Sequence, residues 1–383
     1  MKNKKYNVAE PYFSNKDIAW IKKNIETVLR GQLSTGPYVR ELEEKFAKTV
    51  GTKYALCVNT ATFALEISVK ALGLEEKDEV IIPAETFIAT GMAVTLNGGK
   101  VVFGEVNPQT FCMDLDEIKK RHTKKTRGVI LVHFGGNMSP DTVKIKNYCK
   151  RHRLFLIEDA AHSHGSSIDG RKAGSIGDTA CFSFFPTKIM TMGEGGMLTT
   201  SSKKIYDFTK SLRERGRKIG SKVEIYDYPW RSGRVPEISA VLGINQLSNL
   251  QKCIEKRKKI ANIYNLAFER SGDVSALPEF AGVENAYWKH ITLIENKRIN
   301  RKRLAHILDQ KYNVKINWAY DPPLHLQPVY QKIYGKLKGT LPITEDIMSR
   351  HFHLPMHVLL SQKDANYIAH SVLEAIEKIK GTS

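Results

Sequence analysis

The sequence has few of the features that mark secreted, membrane-bound or disordered proteins. Its 383 residues include five cysteines, an odd number without CxxC spacing, which argues against a disulfide framework and a thiolate metal site. No apolar run approaches about 18 residues, and no apolar core follows the basic N-terminus, so we expect neither a membrane span nor a signal peptide. Repeats and low-complexity tracts are absent as well. We therefore expect a folded cytoplasmic protein.

Acidic side chains are outnumbered by basic ones. Lys and Arg total 59 against 40 Asp and Glu, which gives a formal net charge of +19. Such an excess suits nucleic acid, a membrane surface or small anionic substrates. The densest basic runs, residues 119–127, 252–259 and 297–303, lack interleaved aromatics and match no nucleic-acid-binding module. We expect no nucleic-acid partner and no membrane partner, and we interpret most of the charge as surface character.

The sequence contains short apolar runs that alternate with helical patterns. Single cores stop growing at roughly 250–300 residues, so this length predicts two packed domains. Apolar runs of this kind, separated by helices, are typical of a mostly parallel sheet covered on both faces, that is, of an α/β fold. The predicted strands are residues 54–58, 79–82, 128–133 and 154–157, and the predicted helices that follow them include residues 63–72, 86–96 and 142–152.

The pattern of short apolar runs and helices changes after about residue 243. A long basic segment, INQLSNLQKCIEKRKKIANIYNLAFER, predicts one helix, and isolated strand candidates and a Pro-rich stretch follow it. We place a domain boundary near residue 250. Residues 1–250 are then a large α/β domain with an N-terminal arm and helix at 1–30, and residues 251–383 are a smaller α+β domain.

An acid and a lysine stand after two predicted strands. Asp159 ends the apolar run LFLIED, and Lys188 follows the run ACFSFF and precedes a glycine-rich loop. Ligands of open α/β sheets bind at the carboxyl ends of the strands. A lysine and a carboxylate at adjacent strand ends suit a Schiff base to pyridoxal phosphate, with the carboxylate keeping the pyridine nitrogen protonated. A solvated surface lysine and a helix-capping aspartate are the alternative interpretation.

Two further features would complete such a site. Thr60, Ala61 and Thr62 stand at the start of a predicted helix, where backbone N–H groups and the helix dipole favour a phosphate. The alternative is a plain threonine N-cap. Phe87, in PAETFIAT, stands where an aromatic ring could stack on a cofactor, although a lone aromatic also suits a hydrophobic core.

Seven stretches of the chain carry a family resemblance. Over nearly its full length the sequence resembles the DegT/StrS-type sugar aminotransferases, pyridoxal-phosphate enzymes of fold type I, the aspartate-aminotransferase fold. The matching stretches are in the family's order and at its usual intervals: LSTGPYVRELEEKFA, VNTATFALEISVKALGL, DEVIIPAETFIAT, IEDAAHSHGS, SFFPTKIMTMGEGGMLTT, RVPEISAVLGINQL and PPLHLQPVY.

The resemblance implies roles for residues around the cofactor. Lys188 corresponds to the Schiff-base lysine and Asp159 to the acid at the pyridine nitrogen. His162 occupies a position near the ring and its phenolic oxygen where many members have Gln, and Phe87 corresponds to the stacking aromatic. The implied reaction is a ping-pong transamination through an internal aldimine, with Lys188 moving the proton as general base and acid.

The resemblance also implies phosphate contacts and a shared dimer. Ala61, Thr62 and Ser183 fall on phosphate-binding positions. The family is homodimeric with active sites shared between subunits, and WRSGRVPEIS corresponds to a segment that reaches into the partner's site. Ala61 replaces the usual Gly, which requires a negative φ. Ser232 replaces an Asn that contacts the partner's cofactor phosphate, and its hydroxyl has a shorter reach.

The substrate implied by the resemblance is a nucleotide-linked keto-deoxysugar, with L-glutamate as amino donor, in amino-sugar biosynthesis for a surface polysaccharide or glycoconjugate. Thr35, Tyr320 and His325 are expected near the sugar. Ala319 replaces a His that commonly precedes the Tyr-Pro pair, which bears on substrate choice. Amination at C3 or at C4 remains open, with His162 favouring C4.

Several alternatives remain at this point. A sugar dehydratase of the same family would carry His in place of Lys188. A keto-cyclitol could replace the nucleotide sugar as amino acceptor. A regulatory binder of the same fold would not need both Lys188 and Asp159. A metal site at Asp159, His162 and His164 lacks a fourth ligand and supporting residues, so we expect no metal.

Overall fold

The computed structural model describes residues 4–381. Within this range the helices, in chain order, are α1 (Asn15–Leu29), α2 (Pro37–Val50), α3 (Ala61–Ala71), α4 (Ile88–Thr95), α5 (Leu115–Arg121), α6 (Thr142–Arg151), α7 (Lys203–Arg213), α8 (Glu237–Phe268), α9 (Arg301–Tyr312), α10 (Pro328–Tyr334), α11 (Pro342–Arg350) and α12 (Gln362–Lys380). Short 3₁₀ turns occupy Phe134–Gly136 and Leu324–Leu326.

The strands form one large sheet and two small ones. In chain order they are β1 (Tyr54–Val58), β2 (Glu79–Pro83), β3 (Lys100–Gly104), β4 (Thr126–Val132), β5 (Phe155–Asp159), β6 (Ser167–Ile168), β7 (Arg171–Lys172), β8 (Thr179–Ser183), β9 (Gly196–Thr200), β10 (Val274–Ala276), β11 (Val283–Glu284), β12 (His290–Ile294) and β13 (His351–Leu354). The seven-stranded sheet has the order β1-β9-β8-β5-β4-β2-β3. The small sheets have the orders β10-β12-β13 and β11-β6-β7.

The large sheet is mostly parallel, as the sequence predicts. Only β9 runs antiparallel to its neighbours β1 and β8, whereas β8, β5, β4, β2 and β3 pair in parallel. Both faces are covered, because Ile82 and Ile157 pack with residues of α3 and α4, and the adjacent Ile81 and Leu156 pack with residues of α5 and α6. Strands that are buried on both faces carry continuous apolar runs rather than alternating ones. The predicted α/β class is therefore confirmed.

The predicted domain boundary at residue 250 falls inside a continuous helix. Helix α8 runs from Glu237 to Phe268 without interruption. Its first half supplies Ile244 and Leu250 to the core beneath the large sheet, and its second half supplies Ile260 and Tyr264 to the core of the small antiparallel sheet. One helix thus belongs to both cores, so the chain changes cores within an element rather than in a linker.

The N-terminal arm contacts both cores. Tyr6 is buried in the core of the small antiparallel sheet, where its hydroxyl donates to Asp364 Oδ1 at 3.2 Å. Ser14 and Asp17 form a capping box that starts α1, which packs on the first half of α8 through Ile21 and Val28. All five cysteines are free thiols. No helix within residues 4–381 is long and apolar enough to cross a membrane.

Candidate active site

A cavity of about 470 Å³ opens at the carboxyl ends of the large sheet. Residues that follow β1, β2, β5 and β8 line one side of it, and Trp288, Ala319 and Tyr320 line the other. Parallel strands bring their carboxyl ends to the same edge of a sheet, which is where α/β proteins bind ligands. The cavity gathers eight of the eleven predicted site residues: Ala61, Thr62, Phe87, Asp159, His162, Ser183, Lys188 and Tyr320.

Asp159 is the last residue of β5 and faces the cavity. Its Oδ2 accepts a hydrogen bond from the Thr90 hydroxyl at 2.7 Å, and its Oδ1 accepts one from the Ala161 N–H at 3.3 Å. Burial raises the pKa of this carboxyl, and the Thr90 hydroxyl, the Ala161 N–H and the Lys188 amine oppose that shift. The Asp159 carboxyl can therefore form an ion pair with a cationic group of a ligand in the cavity.

Glu158, the neighbour of Asp159, has a structural role on the opposite face of β5. Its carboxylate bonds to His133 Nε2 at 2.9 Å and accepts the N–H groups of Gly174, Ile176 and Gly177 at 2.6 to 2.9 Å. Successive side chains of a strand point to opposite faces, so only one of two adjacent acids can reach the cavity. The strand pattern offered both carboxylates at this strand end, and the family resemblance assigned the role to Asp159.

Lys188 lies in the turn that follows β8, with its amine against the indole of Trp288. Its Nζ is 4.1 Å from the centroid of the Trp288 ring, and the Trp288 Nε1–H donates to the Thr187 carbonyl at 2.7 Å. Burial lowers the pKa of Lys188 to about 7, with Asp159 opposing the shift and Lys289 adding to it. The amine is therefore available as a nucleophile and base near neutral pH.

The start of α3 forms a further part of the cavity wall. Thr60 caps the helix, because its Oγ1 accepts the Phe63 N–H at 3.1 Å, so the plain N-cap interpretation describes this residue. Ala61 and Thr62 line the cavity in the first turn, whose N–H groups have no acceptor within the helix. Ala61 has no positive φ, so its Cβ is accommodated there. A Cβ on Gly196 would come within 2.4 to 2.6 Å of Thr60 and Ala61, so only glycine lets β9 approach this turn.

Two aromatic rings from the side of the cavity opposite the sheet contact His162. The His162 ring stacks on Trp288 with centroids 3.7 Å apart, and its Nε2 is 3.1 Å from the Tyr320 hydroxyl. Tyr320 has a φ of 59°, in the left-handed region that a tyrosine rarely adopts. Burial keeps the pKa of His162 well below its ordinary value, and the cation of Lys188 lowers it further. The imidazole is neutral at physiological pH.

Comparison with known proteins identifies the family. The family profile described as the DegT/DnrJ/EryC1/StrS aminotransferase family matches residues 16–373. The chain belongs to this family. The GDP-perosamine synthase of Escherichia coli O157:H7 is 30% identical over 371 residues, covering 96% of this chain and 97% of that protein.

Two further relatives extend the comparison. The UDP-4-amino-4,6-dideoxy-N-acetyl-beta-L-altrosamine transaminase of Campylobacter jejuni subsp. jejuni serotype O:23/36 (strain 81-176) is 29% identical over 368 residues, covering 91% of this chain and 92% of that protein. The PLP-form structure of the putative sugar aminotransferase Spr1654 of Streptococcus pneumoniae superposes with a TM-score of 0.89 at 26% identity, covering 98% of this chain and 100% of that one. This DegT-family chain is a sugar aminotransferase of amino-sugar biosynthesis, and its cofactor is pyridoxal phosphate.

The residues that line the cavity of this DegT-family chain fit that cofactor. A helix N-terminus with hydroxyl side chains suits its phosphate, and a buried carboxyl and a lysine with a low pKa suit its ring nitrogen and its aldehyde. His162 Nδ1 is buried without a hydrogen-bond partner among the described residues, so a polar group is left for a ligand. No group of three or more metal-ligating side chains occurs in residues 4–381.

The structure does not bring three of the predicted site residues to this cavity. His325 is fully buried and bonds to Glu345 at 3.1 Å, so the expectation that it contacts the sugar is not supported. Thr35 lines a different cavity, between α2 and α7. Ser232 is exposed beside Arg234, whose Nε donates to its hydroxyl at 3.3 Å, and it lies outside the cavity of its own chain.

Sequence reasoning missed Thr90, Trp288 and Lys289. Thr90 lies four residues after Thr86 in the motif PAETFIAT, and its hydroxyl bonds to the Thr86 hydroxyl and donates to Asp159 Oδ2, both at 2.7 Å. A second buried hydroxyl in the motif that contributes Phe87 was a usable signal there. Trp288 and Lys289 precede β12 and offered no such signal, because no local pattern connects them to Lys188, a hundred residues earlier in the chain.

Proposed function

We propose that this chain transfers the amino group of L-glutamate to the keto group of a nucleotide-linked keto-deoxysugar, forming the amine at C4. The observation that carries the proposal is the meeting of Lys188, Asp159 and the start of α3 in one cavity. The two named relatives support a nucleoside diphosphate sugar as acceptor, and the name of the Campylobacter jejuni enzyme supports C4. The neutral His162, which replaces the common Gln, is compatible with that choice.

In this proposal the cavity residues divide the binding of pyridoxal phosphate among them. The N–H groups at Ala61 and Thr62 and the Ser183 hydroxyl bind the phosphate, and Asp159 holds a proton on the ring nitrogen. Phe87, whose side chain is 53% exposed on the cavity rim, covers one face of the ring. Thr90 supports Asp159 by donating to its carboxylate, which keeps the acid oriented and charged once a cation faces it.

Pyridoxal phosphate supplies an electron sink that allows a proton to leave the α-carbon of an amino acid. Lys188 then acts as the base that takes this proton and as the acid that returns it on the cofactor side. An amine with a pKa of about 7 suits both steps, because the base and acid forms are both populated near neutral pH. In the second half of the cycle the same transfers run in reverse on the sugar.

Two copies of the chain complete the proposed site. Residues 217–228, which we call the exposed loop, carry exposed apolar side chains. Val223 is 62% exposed and Tyr226 is 45% exposed. Exposed apolar clusters of this kind mark interaction surfaces. Ser232, just after the exposed loop, lies outside the cavity of its own chain. This position supports a homodimer in which Ser232 reaches the cofactor phosphate of the other copy.

The dehydratase and the non-catalytic binder fit the cavity less well. Both alternatives remove the need for a lysine amine beside the cofactor aldehyde, yet Lys188 and Asp159 are both present and share one cavity. A keto-cyclitol acceptor would leave the same residues in use and differs only in the substrate that enters. An experiment with both acceptors, and not the identity of these side chains, therefore distinguishes a keto-cyclitol from a nucleotide sugar.

The test is a two-step assay with the purified protein and pyridoxal phosphate. We expect glutamate to bleach the visible absorbance of the cofactor-loaded enzyme, and a nucleoside diphosphate 4-keto-6-deoxysugar to restore it. NMR of the product then identifies the aminated carbon. Restoration by a keto-cyclitol but by no sugar nucleotide would refute the proposed acceptor, an amine at C3 would refute the regiochemistry, and loss of a sugar hydroxyl without amination would favour the dehydratase.

A further inference from the structure

Lys289 is a buried lysine whose amine has no acidic partner among residues 4–381. Its side chain is buried, its backbone N–H donates to the Gly135 carbonyl at 3.0 Å, and its Nζ is 5.0 Å from the centroid of the Trp288 ring. No carboxylate of the described chain forms an ion pair with it. Burying an ammonium without a counterion is costly, so a residue of this kind calls for an explanation.

The same indole ring holds the catalytic candidate Lys188. The Lys188 Nζ is 4.1 Å from the ring centroid, so the amines of Lys188 and Lys289 both lie within 5.0 Å of the centroid of one ring. The ring itself is fixed by the bond of Trp288 Nε1 to Thr187 and by the stacked imidazole of His162.

The groups around the two lysines are mostly basic. Arg257 is buried near Lys289, with its Nη1 donating to the carbonyl of Met356 at 2.8 Å, and His353 and the neutral His162 lie near the same amine. Asp159 faces Lys188 and is the acid that acts on this amine. Burial lowers the pKa of Lys289 to about 7, and Arg257 adds to the shift. In a poorly solvated interior, each new positive charge therefore disfavours the next.

We propose that Lys289 is a positioning residue that acts through its charge on Lys188, the other amine beside the Trp288 indole, disfavouring a second cation and so keeping the Lys188 amine free at neutral pH. A lysine must be a free amine to attack an aldehyde or to take a proton from carbon. A nearby cationic group is a known way to activate such a lysine. The importance of a free Lys188 rests on the proposed function, but the interaction between the amines does not.

The test measures the Lys188 amine in cofactor-free full-length protein. Competitive labelling with trace acetic anhydride, read by mass spectrometry of the Lys188 peptide at a series of pH values, gives the half-point of its protonation. In the wild type we expect a half-point near 7. Lys289→Met should raise it by about one pH unit, which slows labelling at pH 7 by roughly fivefold. Lys289→Gln provides a second neutral variant with a polar side chain.

Two variants act as controls. Lys289→Arg keeps the charge and should leave the half-point at or below its wild-type value. Lys302→Met removes one charge from the exposed face of α9 and should have no effect. The same half-point in wild type and in both neutral variants would overturn the inference, and so would a rise in Lys289→Arg as large as that in Lys289→Met. If the half-point shifts as expected but glutamate never bleaches the loaded enzyme, the proposed function fails and this inference stands.

Discussion

The two walls of the active-site cavity are built in different ways. The sheet wall consists of residues at the ends of β1, β2, β5 and β8, and it carries a carboxylate, hydroxyls and a helix N-terminus. The opposite wall, Trp288, Ala319 and Tyr320, comes from connecting segments and carries rings but no charged group that lines the cavity. In the proposed function, the groups that exchange protons or bind charge thus lie on the sheet wall. The opposite wall affects how far those groups are shielded from water and how much positive charge surrounds them.

The largest expected effect follows removal of the sheet wall's amine. We expect Lys188→Ala to lower turnover by roughly a thousandfold or more, because proton transfer at carbon loses its base and acid. The visible absorbance of the loaded enzyme should change as well, since the lysine no longer bonds to the aldehyde. Turnover assays and absorbance spectra of the variant, with circular dichroism as a check of folding, measure this. A variant that kept wild-type turnover would remove Lys188 from the mechanism.

The second prediction contrasts the adjacent acids of β5. We expect Asp159→Asn to lower turnover by about 10²- to 10³-fold with a small effect on stability, because a neutral amide cannot hold the ring nitrogen protonated. Glu158→Gln is the matched control. It should cost about 2–4 kcal/mol of unfolding free energy, because Glu158 accepts three backbone N–H groups and pairs with His133. Steady-state kinetics and urea denaturation separate the two effects, and equal loss of turnover in both variants would contradict the contrast.

These walls also differ in how far the sequence predicts them. Asp159 and Lys188 stand directly after predicted strands, and a parallel sheet fixes where strand ends meet, so local patterns sufficed to bring them together. Trp288 belongs to the core beneath the large sheet, and Tyr320 packs against a smaller cluster that includes Phe134. Both come from segments far along the chain from the strand ends that they face, so no local pattern predicts their position. Tyr320 also adopts a left-handed φ of 59°, which no tyrosine preference predicts.

Two other predictions differ from the structure for similar physical reasons. The boundary at residue 250 followed a change of composition, but α8 continues through it because a single amphipathic helix can serve two cores. His325 is polar and stands in a Pro-rich motif, which suggested a substrate contact. Its Nε2 instead bonds to Glu345 within the fold. Polarity in a sequence does not distinguish a buried pair from a binding residue.

A third prediction concerns how much the buried amine of Lys289 lowers the free energy of unfolding. The pKa of Lys289 is lowered to about 7 from 10.5, so between these values the unfolded chain binds more protons than the folded one and stability rises with pH. Lys289→Met should therefore stabilise cofactor-free protein by about 1–3 kcal/mol at pH 7, with the gain shrinking as the pH approaches 10.5. Denaturation at several pH values and a fixed protein concentration measures the gain. Lys302→Met should show no such pH dependence, and a gain of Lys289→Met that stayed constant with pH would exclude a charge effect.

The smallest expected effect follows removal of the Tyr320 hydroxyl on the opposite wall. Tyr320→Phe removes the hydroxyl that bonds to His162 Nε2 but keeps the ring, so we expect a loss of about 1 kcal/mol, or several-fold, in kcat/KM. The effect should be similar in the half-reactions with glutamate and with the sugar if His162 acts on the cofactor, and confined to the sugar half-reaction if Tyr320 itself contacts the sugar. Tyr334→Phe is the matched control, because its hydroxyl accepts the Val101 N–H at 2.8 Å outside the cavity. Single-turnover kinetics of each half-reaction distinguish these cases, and equal losses in Tyr334→Phe would mean that the opposite wall acts through stability alone.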